Sequence, residues 1–285
     1  MILVTGATGQ TGGAVLQSLL VKKAGPIRVT YRDDKDRATL PPGVEAVRAD
    51  FADAASLAKA LAGVQSAYLV CAPIPQLVEL EGNFLQAAAN AKLPYLVLQS
   101  ALGAADFPKS FPSWHRKVEE RARELKLSFS TLRPNGFMQN IAGYFGGTIK
   151  SQDAFYDALG EARLSYVDVR DVGDAAAKLL ITRTGVGEAY ELSGPEALTN
   201  AEVAQRISKV VGRTVRYVPL TLEQMKQGMI GAGMPEARAT PVVELYEYYL
   251  SGKGAGSDGA LRTLLDHPPR TLEQYLAEVA SLLSK

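Results

Sequence analysis

The chain opens on a short apolar run, Met1–Thr5, and passes at once through Thr5-Gly6-Ala7-Thr8-Gly9-Gln10-Thr11-Gly12-Gly13 into a helically spaced stretch, Thr11–Lys23. No other feature restricts the fold as strongly. Glycines at 6, 9 and 12 permit a tight strand-to-helix turn and let the backbone approach an anion. A helix that begins there aims its unpaired N–H groups at that anion. Glycine spacing alone is common. Placed directly after an apolar strand and directly before an amphipathic helix, it points to a dinucleotide pyrophosphate site. The competing reading is a glycine-rich turn that only tightens strand–helix packing.

The pattern continues as alternating strands and helices. Strands are expected at Met1–Thr5, Ile27–Tyr31, Val44–Arg48, Ala67–Val70, Tyr95–Gln99 and Ser128–Leu132, and helices at Thr11–Lys23, Ala54–Leu61, Gln76–Ala91 and Trp114–Leu125. Several of these strands are apolar on both faces, as a sheet covered by helices on both sides requires. The expectation is an α/β protein built on a doubly wound parallel sheet of Rossmann type. After Leu132 the rhythm breaks at Pro134, Asn135 and Gly136. A strand at Leu164–Val167, a helix at Asp171–Thr182 with Asp171 as N-cap, and a strand at Glu188–Leu192 suggest a return to the sheet. From Thr199 the pattern is mostly helical: Asn200–Val211, Thr221–Met229, Pro235–Tyr249 and Thr271–Ser284, with one strand at Thr214–Pro219. Thr199 and Thr221, each followed by a nearby Glu, suit helix starts. Residues 1–135 with 164–192 are therefore expected to form the nucleotide-binding domain. Residues 136–163 and 193–285 would form a smaller, helix-rich substrate lobe.

Composition removes several function classes. The 285 residues hold 31 basic and 30 acidic side chains, a formal charge of +1. That gives no electrostatic basis for direct nucleic-acid or anionic-membrane binding. One cysteine, Cys71, excludes a disulfide framework, and two distant histidines, His115 and His267, argue against a metal centre. The opening apolar run is too short for a signal peptide, and no uncharged apolar stretch approaches about 18 residues. A soluble cytoplasmic protein is expected; the sequence is silent on oligomeric state.

The second strand ends in Thr30-Tyr31-Arg32-Asp33-Asp34-Lys35, where such a fold meets the adenosine ribose. Arg32, with Lys35 and Arg37 near it, suits the 2′-phosphate of NADP, because a guanidinium grips phosphate in a bidentate fork. Asp33, one residue on, could instead accept from the 2′-hydroxyl of NAD. A solvated charge run is the third reading.

TGATGQTG at the start, Ala49-Asp50-Phe51, Ser100 and the run Leu132-Arg133-Pro134-Asn135-Gly136-Phe137-Met138-Gln139-Asn140 together resemble the NmrA-like, atypical short-chain dehydrogenase/reductase family, as do Tyr166–Leu180 and Tyr190–Ile207. The resemblance spans the chain and is weakest after Gly231. It implies that Gly6, Thr8, Gly9, Gln10, Thr11 and Gly12 cradle the pyrophosphate and that Arg32, with Lys35, meets the 2′-phosphate. Asp50 and Phe51 would bracket the adenine. Cys71, Ala72 and Pro73 would line the nicotinamide ribose, with Pro134 and Asn135 also at the cofactor. NADP(H) is the expected cofactor, with NAD(H) as the alternative.

Typical short-chain dehydrogenases place a Tyr four residues before a Lys. Here Lys117 is present but Ser113 stands in the tyrosine's place. Lys117 lies on the flank of the apolar face built by Phe111, Trp114, Val118, Ala122 and Leu125, from which it can reach a ribose or point to solvent. Ser100 could bond a substrate carbonyl or the nicotinamide. His115 could supply a titrating group. Ile74, Leu77, Phe137, Met138 and Tyr144 are expected to wall a flat apolar acceptor, packing between lobes being the plainer account of Met138. Two functions follow. One is an NADPH-dependent oxidoreductase passing hydride to a quinone-like or conjugated aromatic small molecule, which needs little help from an enzymic acid. The other is a non-catalytic dinucleotide redox sensor.

Overall fold

The computed structural model describes residues 1–285. In chain order the strands are β1 (Ile2–Val4), β2 (Ile27–Tyr31), β3 (Glu45–Arg48), β4 (Ser66–Leu69), β5 (Leu96–Gln99), β6 (Phe129–Pro134), β7 (Ala154–Asp157), β8 (Ala189–Leu192) and β9 (Arg216–Pro219). The helices of the first two-thirds are α1 (Gln10–Val21), α2 (Asp34–Arg37), α3 (Ala54–Leu61), α4 (Leu77–Asn90), α5 (Ser110–Glu124), α6 (Gly146–Gln152) and α7 (Val169–Thr182). They are followed by α8 (Asn200–Val211), α9 (Leu222–Gly231), α10 (Glu236–Tyr248), α11 (Gly259–Leu264), α12 (Leu272–Glu278) and α13 (Ala280–Leu283).

Seven strands form one sheet in the order β3-β2-β1-β4-β5-β6-β8. The strand order reverses between β1 and β4, which pair in parallel with Ile2 opposite Ser66. This is a Rossmann-type fold, and the reversal is where such sheets bind dinucleotides. Every residue of β1, β4 and β5 is buried, the two-sided burial that their apolar runs demand. No helix is long and apolar enough to cross a membrane.

The chain divides into two compact units. The first comprises Met1–Ala105, Pro112–Arg133 and Val169–Tyr190. Its core on one side of the sheet joins Leu57 and Leu61 of α3, Leu77, Phe84 and Leu85 of α4, and Val118 of α5. On the other side α1 and α7 touch backbone to backbone. A Cβ at Gly173 would lie 2.6 Å from the Ala14 carbonyl carbon, and Ser18 Oγ donates to Asp174 Oδ1 at 2.6 Å.

The second unit comprises Asp106–Phe111, Pro134–Asp168 and Glu191–Lys285. Three of its helices begin with reciprocal caps: Thr199 with Glu202, Thr221 with Gln224, and Thr271 with Gln274. At Thr221 the partner is thus Gln224, three residues on, and not the nearer Glu223. The expected strand at Leu164–Val167 is not one. Its ends make isolated bridges, Leu164 to Leu198 and Val167 to Phe137. Strand β7, which the sequence analysis did not predict, pairs in parallel with β9. Asp171 lies inside the first turn of α7 and is not its N-cap. The long expected helix at Thr271–Ser284 breaks at Val279, between α12 and α13.

Candidate cofactor site

The glycine turn lies in the first unit, and each glycine has its own physical reason. Gly6 has φ +60°, in the left-handed region, and a Cβ there would meet Val70 Cγ1 at 2.7 Å. Gly9 is the N-cap of α1 in extended conformation, φ −90° and ψ 176°, with no side chain capping the helix. Gly12 is buried; a Cβ there would stand 2.2 Å from the Gly6 carbonyl oxygen and 2.6 Å from that of Thr5. Gly12 therefore lets α1 seat on its own turn, so a side chain there would displace backbone before it met any ligand. At Gly9 a Cβ meets only the Gly6 oxygen, at 3.3 Å. Gly6, Thr8, Gly9 and Gln10 are exposed around the helix start, whereas Thr11 and Gly12 are buried. The turn is stapled to β4: Thr5 Oγ accepts from the Val70 amide at 2.9 Å and lies 3.1 Å from the Tyr68 and Val70 carbonyls. A preformed turn with uncapped helix amides fits a pyrophosphate.

At the end of β2, the Arg32 side chain is 76 % exposed and 3.7 Å from Asp33 Oδ2. Lys35 is exposed on α2, and the Arg37 guanidinium lies 5.9 Å from the Tyr31 ring centre. Beyond β3, Asp50 Oδ1 accepts from the Ala52 amide at 2.9 Å, fixing the turn. The Phe51 ring packs on Phe84 at 5.4 Å, and its carbonyl accepts from Asn83 at 3.1 Å.

Two acids that sequence reasoning missed lie on α5 and α4, the helices that follow β5 and β4. Glu119, on α5, is buried and receives four hydrogen bonds: Ser100 Oγ at 2.7 Å, Arg133 Nε at 2.9 Å and Nη2 at 2.6 Å, and Arg123 Nη2 at 3.0 Å. Burial works to raise this carboxyl. The bonds from Arg133 and Ser100, with the Arg133 and Arg123 charges, outweigh it and hold Glu119 below the usual glutamate range. Ser100 has a single proton and gives it to Glu119, so it has none for a substrate carbonyl. That corrects the carbonyl half of its expected role; its oxygen keeps lone pairs that can accept from a nicotinamide amide. Tyr68, also buried, donates to Gln99 Oε1 at 2.5 Å.

Cys71 is half-buried after β4; burial first, then the Glu81 charge, push its thiol up to about 11. Ala72 and Pro73 are exposed, and Ile74 is half-buried. Leu77 is 0 % exposed and packs in the core, which takes it off any substrate wall. Glu81, one turn further along α4, is also wholly buried, and neither carboxylate oxygen has a hydrogen-bond partner. Burial raises it to about 8; the nearby Cys71 amide opposes that shift without making a hydrogen bond of normal geometry to either oxygen. Both missed acids left a trace in the sequence. Glu81 falls on the stripe of Leu77, Phe84, Leu85 and Ala88, and Glu119 on the buried side of α5 beside Val118 and Ala122.

Lys117 is exposed on α5, and Ser113 is half-buried. His115 is buried with Nδ1 unpaired. Burial, working against the Glu119 charge, pushes its imidazole down to about 4. It is neutral at physiological pH and does not meet the expectation of a titrating substrate contact.

The remaining expected residues belong to the second unit. Pro134 and Asn135 are buried. Asn135 Nδ2 donates to Ser193 Oγ at 3.1 Å and to the Gly254 carbonyl at 2.8 Å, while its Oδ1 accepts from the Gly136 amide at 2.8 Å. Its side-chain amide is engaged within the protein at both ends, so that side chain is a structural tie and not a free cofactor ligand. Met138 is buried, and Phe137 is half-buried beside its bridge to Val167. Tyr144 is 73 % exposed, whereas its neighbour Phe145 stacks on Phe155 at 5.0 Å.

The NmrA-like family model matches residues 1–276. The chain belongs to the NmrA-like family. This member is 34 % identical over 277 residues to an NAD(P)H azoreductase from Xenophilus azovorans, covering 96 % of each chain. Among solved structures it is similar to an NADPH-dependent quinone oxidoreductase from Escherichia coli complexed with NADPH. The TM-score is 0.90 and the identity 25 %, covering 98 % of this chain and 99 % of that one. A Citrobacter triphenylmethane reductase complexed with NADP(H) gives a TM-score of 0.88 and 25 % identity, covering 98 % of this chain and all of that one. All three of these similar proteins are oxidoreductases named for, or solved with, NAD(P)H.

Proposed function

We propose that this NmrA-like chain is an NADPH-dependent oxidoreductase acting on quinone-like or conjugated aromatic acceptors. One observation carries the reading: the uncapped start of α1, open at Gly9 and preformed by Gly6 and Gly12, in a chain similar throughout to NAD(P)H-dependent oxidoreductases. Gly6, Thr8, Gly9, Gln10 and Thr11 would hold the pyrophosphate through backbone amides and short side chains. Arg32 and Lys35 would take the 2′-phosphate, Asp50 and Phe51 the adenine side, and Cys71 to Pro73 the nicotinamide ribose. When bound, NADPH supplies a hydride.

The protein's task is then positioning, not acid catalysis. A serine hydroxyl such as Ser113 is a poor acid at neutral pH, His115 is neutral and buried, and the Ser100 proton is committed to Glu119. Acceptors that stabilise their own negative charge, or begin as cations, suit such a site. Lys117, exposed on α5, would hold ribose hydroxyls. Among the expected acceptor contacts of the second unit, Tyr144 is exposed and Phe137 half-buried. The same absence of an acid supports a second reading, a dinucleotide sensor without turnover.

NADPH consumption against a panel of quinones, azo dyes and triphenylmethane dyes tests the choice. Turnover with at least one class is expected. In Lys117→Ala it should fall on the order of a hundredfold, the effect of about 1 Å of misplacement, with a much smaller change in NADPH affinity. Ser113→Ala should keep most of the turnover. Tight NADPH binding without turnover on any acceptor would replace the enzyme reading with the sensor.

A further inference from the structure

Glu81 is an anomaly that the proposed positioning chemistry does not use. A wholly buried carboxyl with two unpaired oxygens is costly as an anion, and native proteins rarely keep one without a purpose. Its place in the fold is specific. It projects from the second turn of α4 toward the chain just after β4, where the Cys71 amide bears on it. In a doubly wound sheet the dinucleotide crosses the reversal of strand order, here between β1 and β4. The adenosine half belongs to the β2 side, so the β4–β5 side is left for the nicotinamide half.

The surroundings of Glu81 hold no cation to pair with it. Tyr68 of β4 and the Cys71 thiol are the ionisable groups that bear on it, and Arg32 bears on Cys71 from the end of β2. The faces that α3, β5 and α5 turn toward the same core are apolar, with Leu57, Leu61, Leu96, Leu98, Val118 and Ala122. As a neutral acid Glu81 needs no counter-ion. As an anion it needs a positive charge that the protein does not provide. An oxidised nicotinamide ring carries one, and a reduced ring does not.

We propose that Glu81 is a redox-linked proton site: a carboxylic acid while the bound nicotinamide is reduced, and a carboxylate paired electrostatically with the ring once it is oxidised. This rests on the reading of the chain as an NADP(H)-binding protein. In the linked step the Glu81 O–H bond breaks, the proton passes to solvent, and the electron pair stays on the carboxylate. Replacing the oxidised cofactor by the reduced one draws a proton back from water. Charge in the buried site is then the same before and after hydride loss, without a cationic partner from the protein. Burial raises the pKa of Glu81 to about 8, which places this exchange within reach of neutral pH. Glu81 is a positioning residue in this role, since it acts through the field on the ring.

The test is calorimetric titration of the whole protein with NADP⁺ and with NADPH, in buffers of different ionisation enthalpy, from pH 6 to 9. The 2′-phosphate is common to both ligands and cancels in the comparison. Wild type should release up to one proton on binding NADP⁺ and little on binding NADPH. Its affinity for NADP⁺ relative to NADPH should rise with pH, by at most about tenfold per pH unit. In Glu81→Gln, a neutral isostere of the acid, the difference in proton release should vanish and the affinity ratio should become flat. Infrared difference spectra of the two complexes supply a reading independent of stability: a carboxylic-acid carbonyl band present with NADPH and lost with NADP⁺, absent from both Glu81→Gln and Glu81→Met. Equal proton release in wild type and Glu81→Gln, or none in wild type, would overturn the inference while leaving the cofactor assignment standing. Failure of both cofactors to bind would remove the cofactor reading and this inference with it.

Discussion

Gly9 and Gly12 are three residues apart in one motif, yet the structure separates their roles, and a paired substitution exposes the difference. Serine at position 9 meets a backbone already in the extended N-cap conformation, where Ser is at least as favourable as Gly. Its Cβ makes one snug contact, 3.3 Å from the Gly6 oxygen. Stability should stay within about 0.5 kcal/mol of wild type, a shift of roughly 2 °C or less in the unfolding midpoint. The new hydroxyl, however, accepts from the first-turn amides, the donors that a pyrophosphate needs. Losing a charge-assisted hydrogen bond weakens binding by about 1.5–3 kcal/mol, or roughly ten- to a hundred-and-fifty-fold in NADPH dissociation constant. Alanine at position 12 should do the reverse. Its Cβ would stand 2.2 Å from one backbone oxygen and 2.6 Å from another, so α1 must lift from the turn. Overpacking of this kind costs about 1–3 kcal/mol, or roughly 2–12 °C. Thermal unfolding without ligand and fluorescence titration with NADPH separate the two variants. A folded Gly9→Ser protein that binds NADPH as tightly as wild type would refute the assignment of the α1 start as the anion site.

Arg32→Ala should weaken NADPH at least about tenfold and leave NADH nearly unchanged, since only NADPH carries the phosphate that the exposed guanidinium would meet; equal losses in parallel titrations, or a wild-type preference for NADH, would point to Asp33 instead. Glu119→Gln should destabilise the first unit by about 3 kcal/mol in denaturant unfolding, because the nearly buried Arg133 loses its counter-charge. The folded Glu119 carboxyl is held low, so its contribution is complete above the unfolded glutamate value and is lost as pH falls through the folded one; the gap between wild type and variant should therefore close in acid, and a gap independent of pH would contradict the ionised network. Asn135→Ala removes three hydrogen bonds, leaving Ser193 Oγ and the Gly136 amide without this partner while the Gly254 carbonyl keeps the Ser165 amide, and should cost about 2–3 kcal/mol in unfolding experiments, with NADPH affinity unchanged in the folded protein; a selective loss of affinity would restore Asn135 to the cofactor.

The order of elements and the phosphate-type turn were legible in the sequence because both are local. Burial on two faces writes β1, β4 and β5 as continuous apolar runs, and a strand, a left-handed glycine and a helix start must follow one another within a dozen residues. Helix starts were legible for the same reason, since Thr199 and Glu202 satisfy each other three residues apart. What escaped depends on partners far along the chain. Strand β7 is too short to declare itself before Arg216–Pro219 pairs with it, and Leu164–Val167 has a strand's composition but only isolated bridges. Ser100 resembled a free hydroxyl until Glu119, nineteen residues on, took its proton. Asn135 resembled a ligand until Ser193 and Gly254 used its amide. Gly12 and Gly9 are interchangeable in a motif, and only the backbone oxygens at 2.2 and 3.3 Å tell packing from access. Glu81 is the sharpest case. Its position on an apolar stripe was visible in the sequence, but whether a buried acid is paired is decided by everything folded around it, and here nothing pairs with it.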